Sequence, residues 1–134
     1  MSLRQSHIEA MAVAILAVNG FSSTKVMSIV PRLKARQLLT PAYVAALEMG
    51  ALTAQLFESG YERGALTSMF AERLQGLMIA IHEGDLDAVQ DLVSQSKKDE
   101  TLQLLLTLRG VGPKVATTAW TLMIESNKGA TSGD

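Results

Sequence analysis

Hydrophobic positions along the chain recur every three or four residues, which is the spacing of one face of an α-helix. A stretch near the N-terminus, residues 5–18, is apolar on nearly every side, as is typical of a central helix that other helices cover. No segment alternates residue by residue as a half-buried strand would. The clearest amphipathic repeat lies in segment 61–82, at Leu66, Phe70, Leu74, Leu77 and Ile81. These patterns predict an all-α protein.

Polar, proline- or glycine-containing breaks separate the predicted helices. Residues 22–24 offer N-caps for a second helix, which we expect Pro31 to bend or break. Pro41 suits the first turn of a third helix, which we expect to run to Phe57. Further helices are predicted over 61–82, 86–93 and 102–108 and after residue 112. We therefore predict a single compact domain of about seven helices over residues 1–126, followed by a flexible C-terminal tail, 127–134.

Composition narrows the classes of function. A chain of 134 residues is the usual size of one domain, and 48% hydrophobic residues suffice for a core. The absence of cysteine excludes disulfides, thiolate zinc sites and iron–sulfur clusters. His7 and His82 stand in no zinc-binding spacing, so we expect neither a metal nor a cofactor. The net charge of −1 excludes a globally basic nucleic-acid binder, so any such contact needs a local patch.

An apolar run over residues 11–18, preceded by Arg4, imitates a signal peptide. Glu9 interrupts the approach to it, and no small-residue cleavage site follows. The run is also shorter than the roughly 20 residues that span a bilayer. We therefore interpret it as a buried helix and expect a cytoplasmic protein without a membrane partner.

A glycine-rich turn near the C-terminus is the most distinctive feature of the chain. The sequence from Leu108 to Ala116 reads L-R-G-V-G-P-K-V-A. Gly110 and Gly112 have no Cβ, so the backbone can take a positive φ or approach a ligand closely. Pro113 is suited to the first position of a helix, whose exposed N–H groups would accept an anion such as phosphate. We predict a helix-hairpin-helix over 102–124 that grips a nucleic-acid backbone without reading its sequence.

Basic residues flank this turn and recur elsewhere. Lys114 could contact phosphate, act as a nucleophilic amine if it is buried, or be an exposed lysine without a role. Three other cations cluster at Arg32, Lys34 and Arg36. They could form a phosphate-binding edge or a solvated helix end.

The segment from Leu108 to Ala116 resembles the helix-hairpin-helix of the endonuclease III superfamily of DNA glycosylases. Residues 14–26, A-I-L-A-V-N-G-F-S-S-T-K-V, resemble the first core helix of that family and the loop after it. Residues 57–74, F-E-S-G-Y-E-R-G-A-L-T-S-M-F-A-E-R-L, are similar to a family segment in which a glycine turn precedes a long helix. The three pieces follow the order of the family's six-helix barrel domain over residues 8–125.

This resemblance implies a protein that bends duplex DNA, extrudes a damaged base and cuts its glycosidic bond. Lys114 matches the position of the lysine that forms a Schiff base with the sugar in bifunctional members. Asn19 is the nearest match to the side chain that fills the gap left by the base. The residues implied to bind DNA are Arg109, Gly110, Val111, Gly112, Lys114 and Asn19, with Lys114 also the candidate catalytic residue.

The chain also departs from the family pattern. The family's essential aspartate lies beyond the lysine in a V-D-T-H-like segment, where this chain reads I-E-S-N-K-G-A-T-S-G-D up to Asp134. The family's second domain and cysteine-bound cluster have no counterpart. Because half a cleft cannot position an extruded base, we expect a DNA-binding module that is inactive as a glycosylase alone, unless a second protein or a second copy completes it.

Two alternatives stay open from the sequence. The first is a helical protein–protein interaction or structural module that does not bind DNA. The second is a DNA N-glycosylase or abasic-site lyase that uses Lys114.

Overall fold

The computed structural model describes residues 3–18 and 22–132, with side chains described as far as Lys128. All regular structure in these residues is helical and forms one domain, as the sequence predicted, with eight α-helices where about seven were expected. The helices are α1 (Gln5–Leu16), α2 (Ser23–Ala35), α3 (Pro41–Ala46), α4 (Met49–Glu58), α5 (Thr67–His82), α6 (Ala88–Ser94), α7 (Lys98–Leu105) and α8 (Pro113–Ser132). A single 3-10 turn, Gly64–Leu66, leads into α5.

The centre of the domain is α1, of which nine residues are buried. It packs mainly against α8, and also against α2 and α5. Its burial on nearly all sides agrees with the apolar pattern of residues 5–18. The second core element is α5, which buries Phe70, Leu74, Leu77 and Met78 and packs against α1, α3 and α4. Each such side chain contributes about 1.5–3 kcal/mol by leaving water.

Pro31 lies inside α2, so the break that we considered at this residue does not occur. A proline at this position has no N–H to donate to the Met27 carbonyl, which removes one backbone hydrogen bond of the helix. The helix continues because Val26, Ile29 and Leu33 are all buried. Burial of this face outweighs the lost hydrogen bond.

The third helix that we predicted from Pro41 to Phe57 is instead two helices. The chain leaves the helical conformation at Leu47, whose φ is −79° and ψ is 140°. Glu48 then starts α4, because its side chain accepts a hydrogen bond of 3.1 Å from the Gly50 N–H. This N-cap satisfies one of the N–H groups that a new helix start leaves without a partner.

The last helix, α8, does not end at the boundary that we expected after residue 126. Asn127, the first residue of the predicted tail, lies within α8 and contacts the N-terminal region. Its Oδ1 accepts a hydrogen bond of 3.2 Å from the Arg4 guanidinium and lies 2.8 Å from Nε2 of the buried His7. Polar pairing therefore extends the packing of α8 past its last apolar residues.

No helix in the described part of the chain combines the length and the hydrophobicity that crossing a membrane requires.

Candidate nucleic-acid interface

Residues 106–112 join α7 to α8 and contain the turn that the sequence singled out. Val111 anchors this turn, because it is buried and its N–H donates to the Leu108 carbonyl at 3.2 Å. The Gly112 carbonyl accepts the first backbone hydrogen bond of α8, from the Ala116 N–H at 3.0 Å. The turn is therefore fixed at both ends while Gly110 stays exposed at the surface.

The two glycines of the turn occur for different physical reasons. Gly110 has a φ of 83°, and a Cβ there would lie 2.7 Å from Nε and 2.8 Å from Cδ of Arg73. Gly112 is not among the residues with positive φ, and no heavy atom lies within 4 Å of its Cβ position. The fold therefore requires glycine at position 110 and tolerates a side chain at position 112.

The start of α8 carries the N–H groups expected to bind an anion. Lys114 and Val115 lie in the first turn, where backbone N–H groups have no partner within the helix. The helix dipole adds partial positive charge at this end. The Lys114 side chain is exposed, and the Arg109 side chain is 93% exposed. Together this backbone and the two exposed cations form a positively charged surface, termed here the hairpin tip and defined as Arg109, Gly110, Gly112 and Lys114.

One carboxylate approaches the hairpin tip. Glu72 Oε1 lies 3.8 Å from Arg109 Nη1, and the two side chains are 60% and 93% exposed. An ion pair this exposed contributes little, because water and salt screen it. Arg109 is therefore free to exchange Glu72 for another anion.

A cleft of about 660 Å³ lies between α5 and the turn and is termed here the α5 cleft. Its lining is apolar at Ile15, Leu77 and Leu108 and charged at Glu72, Arg73 and Arg109. It therefore combines apolar surface with groups that can bind an anion.

Two arginines that the sequence did not single out contact the Phe70 ring, and one of them, Arg73, lies next to the turn. The guanidinium carbons of Arg63 and Arg73 lie 4.7 Å and 5.4 Å from the centroid of the Phe70 ring. Arg63 also donates a hydrogen bond of 2.8 Å to the Val18 carbonyl at the end of α1. The two arginines on one ring thus connect the end of α1 to the hairpin turn through Phe70.

The other residues that the sequence singled out for binding are Asn19 and the three cations at the end of α2. Asn19 lies outside the described residues. In the cluster at the end of α2, Lys34 pairs with Glu9 at 3.5 Å and Arg36 pairs with Glu58 at 3.1 Å. These carboxylates neutralise part of the charge that the cluster would offer to phosphate. Within residues 3–18 and 22–128, no group of three His, Asp or Glu side chains could hold a metal ion.

The two histidines have no common site. His7 is buried, and its Nδ1 lies 3.0 Å from Gln90 Oε1, which also accepts a hydrogen bond of 2.9 Å from the Arg4 N–H. His82 is exposed at the end of α5. His7 therefore links α1 to α6 and α8 rather than lining the α5 cleft.

Comparison of the chain with protein-family models, curated proteins and solved structures gives no match. A function therefore has to be inferred from the chain's own features, and the two candidate features are the hairpin tip and the α5 cleft.

Proposed function

We propose that this protein binds duplex DNA through its phosphate backbone, with the hairpin tip as the contact surface. The observation that carries the proposal is the bare backbone of Gly112. Neither its φ nor its surroundings require glycine, and only Pro113 separates it from the N–H groups of Lys114 and Val115 at the start of α8. A glycine that the fold does not need is explained if an outside group approaches the backbone there.

The chemistry of the hairpin tip suits phosphate. The N–H groups of Lys114 and Val115 can donate to phosphate oxygens, as commonly occurs at helix N-termini. Arg109 and Lys114 add charge-assisted contacts from exposed side chains. Such contacts read no bases, so the binding is insensitive to sequence.

The resemblance of residues 108–116 to the endonuclease III superfamily supports the same partner. It also supports a DNA-glycosylase-like fold, and a role in DNA repair in which a second protein or second copy completes the cleft. A lyase role for Lys114 would need an amine activated by burial or by a neighbouring cation. Because Lys114 is exposed, we propose binding without glycosylase or lyase activity in this chain alone.

The test is a fluorescence titration of a labelled duplex of about 20 base pairs at about 50 mM salt. We expect the double variant Gly112→Ala, Lys114→Ala to bind at least about tenfold more weakly than the wild type, because it loses a charged contact and gains a methyl group at the phosphate site. Lys128→Ala, at the other end of α8, is the matched control and should bind as the wild type does. Unchanged affinity of the double variant would overturn the proposal.

The interaction-module alternative has its own supporting observation. A groove of about 460 Å³ lies between α1, α2 and α8, and Met27 on its wall is 54% exposed. A methionine-bearing surface suits an adaptable protein contact. This alternative predicts no DNA binding at low salt and, if the partner is a second copy, a dimer mass by size exclusion with light scattering.

Borohydride trapping on abasic DNA tests the lyase alternative, which requires an adduct that Lys114→Ala abolishes.

A further inference from the structure

We propose that the α5 cleft is a second phosphate site of the same interface, in which Arg73 binds the backbone of the strand that the hairpin tip grips. The inference rests on the proposed function, since it takes the ligand to be DNA. It adds a residue and a surface on α5, an element that lies far from the turn in sequence.

The guanidinium of Arg73 has unused hydrogen-bond donors. It takes part in none of the hydrogen bonds or ion pairs found among the described residues. No described side-chain nitrogen is both buried and without a hydrogen-bond partner, so the nitrogens of this half-buried arginine reach solvent. Arg73 lines the α5 cleft, where its donors can meet a ligand. A guanidinium offers five N–H groups in a fork that matches phosphate oxygens.

The position of Arg73 is fixed before any ligand arrives. Its Cγ, Cδ and Nε pass directly over the backbone of Gly110, within 3.0 Å of the position a Cβ would take. Its guanidinium carbon lies 5.4 Å from the centroid of the buried Phe70 ring. An arginine held on two sides loses little freedom on binding, which favours affinity. This contact with Gly110 also places Arg73 beside the hairpin tip, so one strand can meet both.

The same wall of the cleft has no side chain at Gly76, about one turn along α5 from Arg73. This residue lies in the interior of α5, where glycine is unfavourable for a helix. No heavy atom lies within 4 Å of its Cβ position, and it lines the α5 cleft. The cleft volume of about 660 Å³ falls within the range of ligand sites. The cleft therefore has room for a sugar-phosphate unit, and the fold does not explain the missing side chain.

Among the described residues that line the cleft, Glu72 carries the one carboxylate, and it pairs with Arg109 at 3.8 Å. A phosphate bound to Arg73 would be repelled by Glu72 and would attract Arg109. A phosphate in the cleft would therefore compete with Glu72 for Arg109. Removing the charge of Glu72 should accordingly strengthen binding, which a purely structural role of this residue would not do.

The experiment measures the affinity for the same duplex between about 50 and 200 mM salt. Arg73→Met keeps the stem over Gly110 and removes the charge. We expect it to weaken binding about tenfold at low salt and to lower the salt slope by about one unit, the effect of one lost phosphate contact. We expect Arg73→Lys to keep most of the salt slope and Glu72→Gln to increase affinity. Lys128→Met, which removes an exposed cation near the far end of α8, is the matched control.

Two further results keep the two proposals separable. If the wild type fails to bind the duplex, the proposed function itself fails. If Lys114→Ala weakens binding while Arg73→Met changes neither affinity nor slope, the cleft inference alone is wrong. Gly76→Leu provides an independent variant should Arg73→Met not fold, because its side chain has open space. It should fill the cleft and weaken binding without lowering the melting temperature, and wild-type affinity in this variant would contradict the inference.

Discussion

The two glycines of the hairpin turn, Gly110 and Gly112, differ in whether the fold requires them. Gly110 combines a positive φ with the Arg73 side chain passing over it, so the protein itself explains its identity. Gly112 has open space around its Cβ position and no positive φ, so the fold itself does not explain why this residue is glycine. Gly112 is therefore more informative about function than Gly110, because the close approach of an external group to the backbone would explain a glycine there.

Tyr61 is a buried phenol whose ionisation should limit stability in alkali. Its hydroxyl donates to the Leu16 carbonyl at 2.6 Å and accepts from Arg63 at 3.2 Å. Burial raises the pKa of Tyr61 from 10.0 to about 12, although the nearby Arg63 and Arg73 oppose this shift. Because the folded state binds this proton more tightly, the neutral phenol stabilises the fold below pH 10.0, and that contribution is lost as the pH rises towards 12.

We therefore expect the melting temperature of the wild type to fall steeply above pH 10.0. Tyr61→Phe should be less stable at neutral pH by about 1–2 kcal/mol, because it loses two hydrogen bonds. It should show a shallower further decline in alkali, because it has no phenol to ionise at this site. Thermal unfolding across this range checks both, with Tyr43→Phe as the control that removes the other tyrosine. An equally steep alkaline decline in Tyr61→Phe would assign the effect to other groups.

At the scale of elements, Asn127 connects the C-terminal half of α8 to the interior. Its Oδ1 lies 2.8 Å from Nε2 of His7, which is fully buried. A chain that ends at Ser126 leaves this nitrogen without that partner, which costs about 1–3 kcal/mol. A chain that ends at Lys128 keeps it.

Thermal unfolding of these two truncated chains should therefore differ by several degrees, with the shorter chain less stable. Asn127→Ala in the full chain should reproduce most of the loss, and Lys128→Ala should not, because Lys128 is exposed. Equal melting temperatures for the two truncations would show that the contact with His7 contributes nothing.

Local sequence patterns predict those helices whose formation depends on residues close together in the chain. The period of apolar residues identifies α5, because burial on a helical face leaves that period in the sequence. The nearly continuous apolar residues of 5–18 identify α1 as a central helix. Pro31 wrongly suggests a helix break, because the buried residues of α2 offset the free-energy penalty of a proline within a helix. The break at Leu47 has no glycine or proline to mark it. Its cause is that α3 and α4 each pack against α5, which a local pattern does not reveal.

The same distinction holds for the candidate site. The hairpin tip can be predicted because its glycines and cations are neighbours in the chain. The place of Arg73 over Gly110 depends on how α5 packs beside the turn. The pairing of Asn127 with His7 likewise joins the two ends of the chain. No local spacing carries such information.

For the molecule as a whole, charge sets the expected character of DNA binding. The chain has 12 basic and 13 acidic residues, so its overall field does not draw DNA towards it. Affinity must come from a few local contacts, and the proposed interface supplies three cations, Arg73, Arg109 and Lys114. Releasing counterions from about three phosphates gives a slope of log affinity against log salt of about −3.

The wild type should accordingly lose about fiftyfold in affinity between about 50 and 200 mM salt. Two duplexes of unrelated sequence should give the same slope and similar affinities, because phosphate contacts carry no sequence information. Fluorescence titrations at four or more salt concentrations, on both duplexes, measure this directly. A slope near zero would mean that phosphates are not the ligand. A slope twice as steep would mean that further cations take part. Arg32 is the member of the α2 cluster that lies outside the Lys34–Glu9 and Arg36–Glu58 ion pairs. Substituting it would then show whether that cluster supplies these cations.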